Sequence, residues 1–188
     1  MKRPLVYLAI CCMAFLIASC NNQRKIKMEQ PKSAWEQTLK ERLPLLGHRN
    51  WIVITDMAYP LQSAQGITTL YADEDFSTVL TKVKHDIDSM PHVFAHVYHD
   101  QEMDVLNDSL APGIDKIKAT VTKLYGKEAK SMPHETIIEK LDKASRLYSI
   151  VIIKTPLTIP YTSIFLELDC KSWDADRQAK LDDLMFKL

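Results

Sequence analysis

Trp51-Ile52-Val53-Ile54-Thr55 is a short, continuous apolar run rich in β-branched residues. Runs of this kind and length form strands buried on both faces of a sheet, so layers must cover both sides. A second run, over residues 148–154, is as apolar. Weaker strands are expected over residues 67–71, 93–98 and 164–168. Between them the apolar period changes to that of a helix. Phe76, Val79, Leu80, Val83 and Ile87 share one face of a helix that Asp73 is placed to cap and that runs to Asp88. Ile114, Ile117, Val121 and Leu124 mark another, stopped by Gly126. Pro133 suits the first turn of a helix carrying Ile137, Ile138 and Leu141. A helix over residues 35–45 opens the series. One capped by Asp174 closes it, ending in Leu181, Leu184, Met185 and Leu188. The alternation predicts an α/β fold: a three-layer α/β/α arrangement around a mixed, mostly parallel sheet. The short link through Pro156 and Pro160 leads us to expect the last two strands to pair as an antiparallel hairpin.

The N-terminus carries Lys2 and Arg3, an apolar run over residues 5–17, and then Ala18-Ser19-Cys20. This is the pattern of a signal peptide, too short to span a bilayer comfortably. Its small-small-Cys ending resembles the lipobox of bacterial lipoproteins. That resemblance implies cleavage before Cys20 and acylation of Cys20. It divides the chain into a signal peptide (1–19), a lipidated polar tether (20–33) and one domain (34–188) with a helical extension over 173–188. The expected location is the bacterial cell envelope, lipid-anchored and facing the periplasm. Cleavage removes Cys11 and Cys12, and lipid occupies Cys20, so Cys170 is left as a lone thiol with no disulfide partner.

Several function classes are excluded. The 24 Lys+Arg balance the 24 Asp+Glu, which gives no electrostatic ground for nucleic acid as a partner. The 4 glycines are too scattered to form a phosphate-cradling loop. Ser131, Ser163 and Cys170 have no nucleophile-elbow setting. Asp104, Asp108 and Asp115 lack the spacing of a calcium loop. His92, His96, His99 and Asp100 crowd one stretch. In a strand His92 and His96 would share a face while His99 points away, and no third ligand is spaced to complete a metal site. Neither a metal nor a cofactor is expected.

Chemistry is expected around the first strand. Gly47-His48 precedes it, and Asp56-Met57-Ala58-Tyr59-Pro60 follows it. At about 3.3 Å per residue, His48 and Asp56 lie too far apart to hold one small ligand unless a loop folds back or a neighbouring subunit supplies one of them. The Gly-His, apolar strand and Asp loop resemble the opening motif of the RbsD/FucU family of D-ribose pyranases and L-fucose mutarotases. Tyr71-Ala72-Asp73 ahead of a helix is similar to that family's middle section. Ser149-Ile150-Val151-Ile152-Ile153, a Pro-containing loop, Tyr161 and Ile164-Phe165-Leu166 are similar to its closing section.

The resemblance implies interconversion of the ring forms of a free monosaccharide by acid–base catalysis without a cofactor. An imidazole suits this, because it titrates near neutrality. Carried over, His48 is the acid/base and Tyr161 the catalytic phenol. Asp56 is a substrate ligand, as are His134 and Ser163, the latter standing where the family has Asn. The family's rings imply a homo-oligomer with sites between subunits. The shorter Ser163 side chain and the added C-terminal helix keep a second expectation open, a non-catalytic sugar-binding or assembly lipoprotein.

Overall fold

The computed structural model describes residues 33–187. The signal peptide, Cys20 and nearly all of the tether lie outside these residues. Among the described residues no helix is long and apolar enough to cross a membrane. The elements run in the order α1 (Ala34–Arg42), β1 (Trp51–Thr55), β2 (Ile67–Tyr71), α2 (Phe76–Asp88), β3 (Val93–Asp100), α3 (Gln101–Val105), α4 (Ile114–Tyr125), β4 (Ala129–Met132), α5 (His134–Ser145), β5 (Ile150–Lys154), β6 (Ile164–Cys170) and α6 (Ala175–Met185).

The strands form a single sheet in the order β2-β5-β1-β6-β3-β4. β1 and β2 pair parallel with β5, and β3 pairs parallel with β4. β6 runs antiparallel between β1 and β3. The sheet is therefore mixed and mostly parallel, and the fold is α/β as expected. β5 and β6 do not form the expected hairpin, because β1 lies between them. All five residues of β1 are buried, and a strand without a polar face needs sheet neighbours on both sides as well as cover above and below.

The two faces of the sheet are covered unequally. On one, Trp35 and Leu39 of α1, Val79, Leu80 and Val83 of α2, and Ile117 and Val121 of α4 pack onto Ile52, Ile54, Val151, Ile153 and Leu166. On the other, Ile137 and Leu141 of α5 cover Trp51, Val53, Ile150, Ile152 and Phe165. α5 lies mainly over the β5–β1–β6 half and touches the next strand through Lys140, whose Nζ stands 5.0 Å from the centre of the Tyr98 ring. Beyond it the same face shows the half-buried side chains of His96, Tyr98 and Glu167 and the exposed Lys130 around a cavity.

Helix ends follow local chemistry. α2 is capped by Asp75, whose carboxylate accepts from the Thr78 amide at 3.1 Å, and not by the expected Asp73. Asp75 stands one residue before the helix, where a cap's oxygen reaches the free amides of the first turn. Gly126, at φ 53°, ends α4 as expected. Asp174 caps α6, accepting from the Arg177 amide at 2.8 Å. None of the α6 residues is buried, and Phe186 just beyond it is 91% exposed.

Candidate active site

Because β6 runs against its neighbours, its two ends bring distant residues to opposite edges of the sheet. At one edge β6 ends beside the approach to β1. The Arg49 amide donates to the Leu168 carbonyl at 2.9 Å, and the Leu168 amide donates to the Asn50 carbonyl at 2.8 Å. This register sets His48 against Asp169. Residues 47–50 form a tight turn, closed by the Asn50 amide on the Gly47 carbonyl at 3.1 Å, with Arg49 at φ 69°. A positive φ is the requirement of the third position of a type II turn, and it costs a non-glycine residue about 1 kcal/mol or more.

That turn aims Arg49 at two partners. Its Nη1 donates to the Tyr148 hydroxyl at 2.9 Å, and its Nε donates to His48 Nε2 at 3.1 Å. An arginine nitrogen can only donate, so His48 Nε2 is an acceptor and the ring proton sits on Nδ1. Nδ1 lies 2.6 Å from Asp169 Oδ1, and donates to it. The other carboxylate oxygen, Oδ2, is 3.2 Å from His96 Nε2. Burial by itself would raise the Asp169 carboxyl. The Cys170 amide and the His48 and His96 rings outweigh it and hold the group below its ordinary range. The result is a carboxylate clamped between two imidazoles, one of which, His48, turns its Nε2 lone pair to the Arg49 guanidinium. His48, Arg49, His96, Tyr98, Lys130, Glu167 and Asp169 line a cavity of about 280 Å³ there. Cys170 adds a thiol. Its sulfur, an Asp169 oxygen and a His48 ring nitrogen all lie within 4.8 Å of one another.

At the opposite edge, β1 and β3 end where β6 begins. Thr55, Ser163 and Asp100 follow one another across the three strands, one step beyond the paired residues Ile54, Ile164 and His99. Asp100 is fully buried, with Oδ1 2.9 Å from His134 Nδ1 and Oδ2 without a partner. Burial pushes its carboxyl above the ordinary value, against the opposing hydrogen bond and charge of His134. His134 opens α5, and its free amide is satisfied by the Glu102 carboxylate at 3.2 Å. Tyr161, held at φ 56° and 40% exposed, sets its ring edge-on to His134 at 5.5 Å.

Of the expected site residues, Tyr161 and His134 therefore meet, while His48 lies at the far edge of the sheet. Ser163 is 1% exposed, and its hydroxyl is 2.8 Å from the Thr55 hydroxyl, so it ties β6 to β1. Asp56 is also buried, and its Oδ1 accepts from the Ala58 and Tyr59 amides at 2.7 and 3.1 Å, which shapes its own loop. The histidine-rich stretch separates: His92 bonds the Leu46 carbonyl, His96 joins Asp169, and His99 meets Asp104 at 2.9 Å. Arg49, Asp100 and Asp169 take part in these arrangements without having been expected to. His96 and Asp100 stood in a stretch with a visible chemical signal, but their partners come from other strands.

A mixed α/β sheet with a His–carboxylate pair at each end of its antiparallel strand defines the class. The chain belongs to the RbsD / FucU transport protein family, whose model matches residues 31–170. Among solved structures it resembles Bacillus subtilis RbsD complexed with D-ribose, with 18% identity and a TM-score of 0.54, over 75% of this chain and 98% of that one. It also resembles the fucose mutarotase from Streptococcus pneumoniae in complex with L-fucose, with 17% identity and a TM-score of 0.50, over 70% of this chain and 91% of that one. No curated protein matches the chain by sequence.

Proposed function

We propose that the protein interconverts anomeric or ring forms of a free monosaccharide, with His48 as the acid/base. One observation carries the reading. His48 is fixed by Asp169 on Nδ1, and its unprotonated Nε2, which accepts from Arg49 and must exchange that bond for the sugar hydroxyl, lies at a polar cavity. Family membership and the sugar complexes of the two similar proteins support it.

Ring opening needs the anomeric hydroxyl to lose its proton and the ring oxygen to gain one as the bond between that oxygen and the anomeric carbon breaks. His48 Nε2 takes the first proton, Asp169 stabilises the imidazolium that forms, and the imidazolium hands the proton back to the ring oxygen as the bond breaks. The product is the open-chain aldehyde, and closure on either face reverses the steps. The five residues of β1 put roughly 16 Å between the His48 edge and the Tyr161 edge of one chain. We therefore place the complete site between two copies, with His48 of one facing Tyr161 and His134 of the next, in a homo-oligomeric ring. On the signal-peptide pattern and Cys20, the protein is anchored by lipid in a bacterial cell envelope and faces the periplasm.

Saturation-transfer NMR with ribose and fucose tests the reading. Faster anomer exchange that His48→Ala abolishes is the expected result, and no acceleration with either sugar overturns it. A second reading, sugar binding without catalysis, is favoured by Ser163, whose hydroxyl is buried against Thr55. Calorimetry that finds sugar binding without exchange would select it.

A further inference from the structure

We propose that His48, Asp169 and Cys170 form a binding site for a thiophilic divalent cation of the zinc type, and that a bound cation switches off His48 as a base. The second half of this proposal rests on the function proposed above, and the first half does not.

The donor set is a mixed one, imidazole, carboxylate and thiol. Three such ligands and a water suit tetrahedral zinc, with bonds of about 2.0–2.3 Å and donors held roughly 3–4 Å apart. Here the three donor atoms already lie within 4.8 Å of one another. The chain path explains the convergence. Asp169 and Cys170 are consecutive at the end of β6, and the turn at Arg49 delivers His48 to the same place. Cys170 is a free thiol. His96 holds the second oxygen of Asp169 at 3.2 Å, the arrangement by which an outer partner orients a metal-binding carboxylate. A cavity lined by His48, His96, Asp169, Cys170 and Trp173 gives a cation access from solvent.

The switch follows from proton positions. In the free protein the His48 proton is on Nδ1, and Nε2 accepts from Arg49. A cation bonded to Nδ1 needs the lone pair there, so the ring proton must move to Nε2. Nε2 then becomes a donor, can no longer take a proton from a sugar hydroxyl, and repels the Arg49 N–H. The Cys170 thiol gives its proton to solvent when it becomes a ligand. No oxidation or reduction takes place.

Co²⁺ is the diagnostic probe, because a thiolate ligand gives it a charge-transfer absorption. Titrating the purified protein with Co²⁺ should produce that band, and Cys170→Ser should remove it while leaving every other thiol in place. Zinc calorimetry should show one site, weakened about tenfold or more by His96→Ala. A cobalt band unchanged in Cys170→Ser, or zinc affinity unchanged in both variants, overturns the site. Anomer exchange is then measured with and without zinc. Exchange that persists at saturating zinc overturns the switch. If the metal-free protein shows no exchange at all, the proposed function and the switch fail together, and the cobalt band decides the site alone.

Discussion

The sheet carries two histidine–carboxylate pairs, one at each end of β6, and they are opposites in setting. His48 and Asp169 meet at 2.6 Å with the histidine side chain half exposed, whereas Asp100 beneath His134 has no exposed surface. Two imidazoles and a backbone amide hold the Asp169 carboxyl down, and burial drives the Asp100 carboxyl up. The same two residue types thus give a ready anion behind an accessible base at one edge. At the other they give a costly buried charge that positions a ring. Hydration decides which.

If this contrast governs function, loss of the accessible ring has the largest effect. His48→Ala should lower the catalysed rate of anomer exchange by about 10³-fold, within the range that general acid–base groups contribute. His134→Ala should be as harmful only if the second pair faces the same sugar. Mixing the two variants after joint refolding separates the possibilities. Sites built between copies recover part of the activity, and sites built within one chain recover none. Asp169→Asn comes next. It keeps the shape but removes the charge that stabilises the imidazolium, and should cost about 10²-fold in rate at nearly unchanged melting temperature. A loss of stability in place of rate would make the exposed pair structural.

Much of this framework was legible beforehand, for identifiable reasons. β1 and β2 coincide with the expected strands, because a continuous apolar run and a β-branched segment are local signals. β4 escaped notice: Ala129-Lys130-Ser131-Met132 is an edge strand with little buried surface and no apolar pattern to announce it. The hairpin expectation failed because strand order depends on burial across the whole sheet, whereas loop length limits only what is reachable. The site divides in the same way. His48, His134 and Tyr161 stand in local motifs. Asp169, His96 and Arg49 gain their roles from the register of β6 between β1 and β3, and from a positive φ at a position where glycine would be expected.

The buried pair makes a smaller prediction, about stability. The folded-state pKa of Asp100 lies above its unfolded value. Its ionised form is therefore penalised in the fold, and the wild type loses stability as pH rises from the ordinary carboxylate range through the raised value. Asn cannot ionise and keeps an oxygen for His134. Asp100→Asn should therefore gain about 1 kcal/mol in urea unfolding near pH 8. The gain should vanish near pH 3, where both side chains are neutral. A variant less stable than wild type at the higher pH would mean that the ion pair with His134 outweighs desolvation, and the contrast between the two edges would collapse.

The smallest effect belongs to α6, which starts next to the exposed edge. Trp173, Asp174, Ala175 and Gln178 border the cavity there, yet no residue of the helix is buried. Its contacts are mainly local, such as the Trp173 indole donating to Gln178 at 2.9 Å. Surface elements of this kind contribute within about 0.5 kcal/mol. Ending the chain after Trp173 should therefore shift the melting temperature by less than about 2 °C. The family match stops at residue 170, which separates the helix from the part of the chain that defines the fold. If truncation leaves stability intact but changes the exchange rate, α6 acts on the His48 cavity as a rim. A large fall in melting temperature would instead mean that its exposed apolar residues, Leu184 and Met185 among them, are covered by another copy in the assembled protein.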